Sequence, residues 1–204
     1  MMDYLGEKIL YLSRKDVDSL GISIEDIIAR LERMFSQKVN GRMEMPPKPA
    51  IHTNGDAFLH AMPAYIPEFD SAGVKWVGGY PENHKRGLPY ITGLLVLNDT
   101  LTGVPFAVMD CVWIMAIRTA AATALAAKYL ALQKSETLAI LGCGVQGRAN
   151  LEALSHIFHL SKVNVYDISK KTARQCQFEM SPRLQLDIEI AETPRKAVEG
   201  ADIT

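Results

Sequence analysis

Cysteine is scarce in this sequence. There are three in 204 residues, Cys111, Cys143 and Cys176, an odd number with no Cys-x-x-Cys spacing. That excludes a disulfide scaffold and a zinc knuckle, and a reducing cytoplasm is the expected compartment. Long hydrophobic runs are also missing. The longest apolar stretch, Gly103 to Ile117, contains Asp110 and is shorter than the ~20 residues that cross a bilayer, so no membrane partner is expected. The start, Met1-Met2-Asp3-Tyr4, has neither the basic flank nor the apolar core of a secretory leader. Charge of one sign is lacking too: Lys and Arg number 22, Asp and Glu 23, and the net charge is −1. With no basic block to neutralise phosphates, nucleic acid is not an expected partner. Internal repeats and low-complexity tracts are absent.

What is there reads as ordinary globular composition, 48% apolar and 22% charged, with the length of one large domain or two small ones. In the first half, Lys8 to Leu12 suggests a strand. Ser23 with Asp26 three residues on suggests a helix cap. Ile27, Ile28, Leu31, Met34 and Phe35 follow at helical spacing, and Gly41 supplies a stop. From Met43 to Asp110, apolar runs are broken by Pro and Gly. Strands are expected at Ala57–Ile66, Gly73–Val77, Gly93–Leu97 and Val104–Met109, the last two as a hairpin around Asn98-Asp99-Thr100 and Thr102-Gly103. Trp113 to Leu132 is Ala-rich with no Gly or Pro and predicts a helix.

The second half alternates. Strands are expected at Thr137–Leu141, Lys162–Tyr166 and Leu186–Ile190. Helices are expected at about Gln146–Leu160, Lys170–Met180 and after the Thr193-Pro194 cap as far as Gly200. Alternation of this kind makes a parallel sheet covered by helices. The boundary between the two grammars lies near Gln133-Lys134-Ser135. Ile203-Thr204 has the look of a fourth parallel strand beginning. A doubly wound domain has about six, so the expectation is a chain cut within its sheet. The fold class is α/β: an α+β domain over residues 1–132, then a truncated Rossmann-type doubly wound parallel sheet over 133–204.

Gly142-Cys143-Gly144-Val145-Gln146-Gly147 matches Gly-x-Gly-x-x-Gly, between a strand and a helix as a dinucleotide turn requires. The first glycine makes the turn, the second admits a pyrophosphate and the third lets helix and strand pack closely. The helix N-terminus then offers N–H groups to the phosphates. Asp167 ends the next strand, where an acid holds the adenosine ribose, which favours NAD over NADP because a 2′-phosphate would meet a carboxylate. Lys170, Lys171 and Arg174 nearby keep NADP within reach.

Four charged or titratable residues sit in apolar or rigid settings. Lys75 shares a strand face with Val77, Arg118 is the lone charge between Asp110 and Lys128, Lys48 lies in Pro46-Pro47-Lys48-Pro49, and His60 lies between Phe58 and Met62. Each has an ordinary structural reading as a solvated or satisfied side chain. Each also has a reading as a site residue, Arg118 above all, since its fork suits a carboxylate. His156 and His159 have no metal partner in view, and no metal site is expected.

Taken together, these segments resemble the ornithine cyclodeaminase/μ-crystallin family over essentially the whole length. They are Pro46-Pro47-Lys48-Pro49, Met62-Pro63-Ala64-Tyr65, Gly73 to Asn83, Asn98-Asp99 through Val108-Met109-Asp110, Arg118-Thr119-Ala120-Ala121 and Gly142 to Gly147. The resemblance implies a homodimeric, NAD(P)-dependent enzyme acting on a small amino or imino acid. It implies that Lys75 and Arg118 hold the substrate carboxylate at the catalytic centre, in a substrate and dimerisation domain formed by residues 1–132. It places Lys48 where many members carry a carboxylate-binding Arg, and His60 where ornithine cyclodeaminase carries a Glu that receives the substrate amine. Gly142, Gly144, Val145, Gln146 and Gly147 would lie on the pyrophosphate and Asp167 on the ribose. Arg118 and Tyr90 would stand on the nicotinamide side; Tyr90 aligns with a family Thr, with Thr92 close by. The family's catalytic Asp falls beyond Thr204, so the 204-residue chain alone is expected to be inactive. The chemistry expected of the intact protein is conversion of L-ornithine to L-proline with release of ammonia. The alternatives are an amino-acid dehydrogenase or ketimine reductase of the same family and, from another class, a non-enzymatic nucleotide-binding protein.

Overall fold

The structure, a computed structural model, describes residues 5–204; the leader reading at Met1-Met2-Asp3-Tyr4 falls outside them. Two compact units are present. One takes in the described residues up to Gly21 together with Arg33–Met115, the other Ile22–Glu32 together with Ala116–Thr204. The divide falls inside two helices, α2 (Ile24–Val39) and α3 (Val112–Leu130), and the Gln133-Lys134-Ser135 segment lies within the second unit.

The first unit is built on a six-stranded sheet. Its strands are β1 (Leu10–Leu12), β2 (Ala50–His52), β3 (Phe58–Ile66), β4 (Ser71–Gly79), β5 (Ile91–Asn98) and β6 (Pro105–Asp110), in the order β1-β6-β5-β4-β3-β2. Every neighbouring pair is antiparallel except β1 with β6. The expected β5–β6 hairpin is formed. Its turn is closed by the Asp99 carboxylate, which accepts from the Thr102 N–H at 2.8 Å and the Thr102 hydroxyl at 2.6 Å. Those bonds hold the Asp99 carboxyl below its usual range. Among strands and α-helices, two elements were not foreseen. One is β2, three residues beside prolines. The other is a five-residue helix α1 (Arg14–Asp18), closed by a Ser13/Asp16 capping box.

The second unit carries β7 (Thr137–Leu141), β8 (Lys162–Tyr166) and β9 (Ile188–Ile190), all parallel, in the order β7-β8-β9. Ile203 makes a parallel bridge to Leu138 on the other edge of β7, and its carbonyl accepts from the Ala139 N–H at 2.9 Å. The order thus reverses at β7, as in a doubly wound sheet. Asp202 fixes this return: its carboxylate accepts from the Glu136 and Thr137 N–H groups, each at 2.9 Å, and from the Thr137 hydroxyl at 2.7 Å. Leu138, Val163, Val165 and Ile188 are at most 1% exposed and form the centre of the core.

Helix boundaries shift where burial outweighs the pattern. The helix α4 (Val145–Ser155) stops before the expected Leu160, because the chain turns to bury Phe158 and Leu160. The helix α5 (Lys170–Leu184) passes the expected Met180, carries Pro182 and ends at Gln185 in the left-handed region. A short α6 (Pro194–Val198) starts as expected from Thr193, whose hydroxyl accepts from the Lys196 N–H at 3.2 Å.

Candidate functional site

In the second unit the glycine turn joins β7 to α4. Gly142 has φ +101°, a conformation that glycine tolerates and L side chains rarely adopt. A Cβ on Gly147 would lie 1.9 Å from the Gly142 carbonyl oxygen, so the third glycine lets α4 sit directly on the turn. At Gly144 nothing lies within 4 Å of the Cβ position, and no side chain caps the α4 N-terminus. The turn therefore has the space and the N–H donors that a pyrophosphate needs. Val145 is 72% exposed beside it.

Asp167 reaches this turn. One carboxylate oxygen accepts from the Cys143 N–H and the other from the Ser169 N–H, each at 2.8 Å. A carboxylate has about four acceptor positions, so capacity remains for a ribose hydroxyl. Two features that the motif does not announce hold the turn from behind. Arg148 donates from Nε to the Cys143 carbonyl at 3.0 Å and pairs with Glu179 at 2.5 Å. The Cys143 thiol, fully buried, is pushed to high pKa by its contact with Cys176 and by burial, so it stays protonated. Gln146 does not point only at the turn: its side-chain amide donates to the Ala116 carbonyl of α3 at 3.3 Å. It thereby ties α4 to the helix that carries the exposed Arg118.

In the first unit the register sorts the other residues. Lys75 lies opposite Met62, His60 opposite Val77 and Ala50, and His52 opposite Phe58. The Ala61 N–H donates to the Pro49 carbonyl at 3.2 Å, which carries the register one residue further, toward Lys48. Lys48, Met62 and Lys75 thus form one row across the sheet, with His60 diagonal to both lysines and His52 one row beyond. All are on a single face. Loss of solvation first, then Lys48, His52 and Lys75, hold the His60 imidazole below its usual pKa. Lys75 is also close enough to the buried Cys111 to offset part of the rise that burial imposes on that thiol. Thr92 pairs with Gly78, which puts it on the opposite face from Lys75. Tyr90 precedes β5, is 49% exposed, and accepts through its carbonyl from the Tyr80 N–H at 2.9 Å. His52 was missed from the sequence because β2 is too short to show alternation.

Among the described residues no group of three or more His, Cys, Asp or Glu is placed to hold a metal ion, and no helix is long and apolar enough to cross a membrane. The sequence profile of the ornithine cyclodeaminase/mu-crystallin family matches residues 7–204. The chain belongs to this family. This member of the ornithine cyclodeaminase/mu-crystallin family is 40% identical to an alanine dehydrogenase of Archaeoglobus fulgidus over 167 residues, 81% of this chain and 50% of that protein. It is 36% identical to an ornithine cyclodeaminase of Agrobacterium fabrum over 131 residues, 64% of this chain and 37% of that one. Among solved structures it superposes on the Thermococcus litoralis Δ1-pyrroline-2-carboxylate reductase in complex with NADH and L-proline. There the TM-score is 0.92 and the identity 38%, covering 96% of this chain and 61% of that one. The chain spans about half the length of curated relatives it matches, 52% and 50% for two of them.

Proposed function

We propose that the protein carrying this chain is a cytoplasmic, homodimeric NAD(H)-dependent oxidoreductase that interconverts an α-amino acid and its α-imino acid. Residues 1–132 would serve as substrate and dimerisation domain and residues 133–204 as part of the nucleotide domain. The solved relative with NADH, the open Gly144 and the uncapped α4 N-terminus support the cofactor assignment. Gly142, Gly144, Val145, Gln146 and Gly147 would hold the pyrophosphate and Asp167 the ribose, with Tyr90 and Arg118 on the nicotinamide side. NAD(H) bound there supplies the hydride exchange. Lys75 and Arg118 would bind the substrate carboxylate, with Lys48 adding a point charge, so that the reacting carbon is held in one orientation.

The observation that carries the dehydrogenase or reductase reading is the charge of the Lys75 face. Lys48, His52, His60 and Lys75 share it, and the rows of that face contain no Asp or Glu. A diamino acid brings a side-chain ammonium, and each like charge about 4 Å away costs roughly 1 kcal/mol in bulk water and about 4 kcal/mol near a protein surface. An α-amino or imino acid without that ammonium carries no such penalty. The second reading, cyclisation of ornithine to proline with loss of ammonia, is supported by the likeness to the Agrobacterium fabrum enzyme.

Net cofactor turnover separates the two, because cyclodeamination returns the hydride it takes. The full-length protein is assayed by NADH absorbance with pyruvate and ammonium, with oxaloacetate and ammonium, with Δ1-pyrroline-2-carboxylate and with ornithine. Net NADH oxidation on an imino acid, lowered at least tenfold in kcat/KM by Lys75→Met with NADH affinity within about twofold, is the expected result. Proline and ammonia formed from ornithine with no net change in NADH would overturn it, as would NADH binding without turnover of any substrate. The 204 residues alone are expected to turn over none of them.

A further inference from the structure

We infer that His60, assisted by His52, reads a second acidic group on the substrate, so that the substrate class is a dicarboxylic α-amino or α-imino acid. This rests on the proposed reading that Lys75 receives the α-carboxylate. The register puts four basic side chains on one sheet face: Lys48 and Lys75 in one row, His60 diagonal to both, His52 beyond. An α-carboxylate at the lysine row neutralises one unit of this charge. With the α-carboxylate placed at Lys75, Lys48 and the two imidazoles remain on a face whose rows contain no carboxylate, and an acidic side chain of the substrate is their charge complement.

His60 is also braced as a recognition group rather than left to swing. Its ring stacks on Phe58 with centroids 4.3 Å apart and planes 24° from parallel. Phe58 can lie there because residue 79, its partner across the sheet, is glycine: a Cβ on Gly79 would come within 2.3 Å of the Phe58 ring. A stacked imidazole is limited in its orientations, so a bond to a ligand oxygen costs less ordering. Loss of solvation, and then the surrounding basic groups, hold the imidazole below its usual pKa. An acidic ligand then draws a proton onto the ring and gains a charge-assisted bond, whereas a methyl or ring methylene in the same place gains nothing.

The test titrates the chain with succinate and, separately, with propionate, reading histidine ring nitrogens and lysine side-chain ammonium groups by NMR. Succinate is expected to move both Lys75 and His60 signals and to bind at least tenfold more tightly than propionate, which moves Lys75 alone. His60→Gln, which keeps hydrogen-bonding groups without the titrating ring, is expected to remove the preference and leave propionate binding within twofold. Equal binding of the two acids at Lys75 with His60 unmoved overturns the dicarboxylate inference and leaves the carboxylate role of Lys75 standing. No response of Lys75 to either acid overturns that role, and the inference with it.

Discussion

In the second unit the dinucleotide turn is six consecutive residues, Gly142 to Gly147, and what it offers a ligand is mainly backbone. In the first unit Lys48, His60 and Lys75 come from separate segments of chain, and what they offer is side-chain charge. The first kind of site depends on a few local conformations and one close packing contact. The second depends on strand register: a one-residue slip of β3 would carry His60 to the opposite face. The two therefore differ in which substitutions damage them.

The sharpest way to break the comparison is within the turn. Gly147→Ala forces a Cβ to 1.9 Å from the Gly142 carbonyl. It is expected to cost about 3 kcal/mol of stability and to abolish dinucleotide binding. Gly144→Ala, with open space around it, is expected to leave stability within about 0.5 kcal/mol while weakening the dinucleotide by crowding the pyrophosphate. Denaturant unfolding beside NADH titration of both variants reads the difference. Equal destabilisation would show that the turn is not held by helix packing.

A smaller effect is expected at Asp167, which holds the turn and is proposed to hold the ribose. Asp167→Ala leaves the Cys143 and Ser169 N–H groups without their acceptor, costing about 1–2 kcal/mol of stability. It also removes the carboxylate that opposes a 2′-phosphate. The ratio of NADH to NADPH dissociation constants should shift about tenfold toward NADPH. An unchanged ratio would leave Asp167 a purely structural residue of the turn.

The smallest effect concerns the return of the chain to β7. The Thr137 hydroxyl, then the Glu136 and Thr137 N–H groups, lower the Asp202 carboxyl below its usual 3.8. A group whose folded pKa is depressed contributes stability above the unfolded value and loses it as pH falls through the folded one. Unfolding free energy should therefore drop from about pH 5 downward, and Asp202→Asn should flatten that drop. Identical pH profiles would mean that Asp202 contributes nothing through its charge.

Much of the fold was legible because its signals are local. The helix after Ser23, the Ala-rich α3, the β5–β6 hairpin and the strand–turn–helix of β7 and α4 each follow from caps, periodicity or glycine spacing. The misreadings have particular causes. β2 is three residues long and follows a proline-rich segment, so no alternation shows. The Ser13/Asp16 cap marks α1 in the sequence, but the helix behind it is too short for a period. α4 ends early because Phe158 and Leu160 reach the core only if the chain turns. α5 runs through Pro182 although proline alone argues for a stop. At the candidate site, Lys48, His60 and Lys75 were visible as residues out of place, and His52 was not.

The sequence by itself determined that a strand, a glycine turn and a helix stand in order at residues 137–155 and that Asp167 closes the next strand. These are short-range properties, written in φ angles, side-chain size and the unpaired N–H groups of a helix end. Only the tertiary structure decided that Lys48, His52, His60 and Lys75 share one face with no carboxylate in its rows, and that Ile203 joins β7 on the edge opposite β8. Which charges become neighbours across a sheet is set by pairing between distant segments, and the period of a strand fixes a residue's face only once its partner is known.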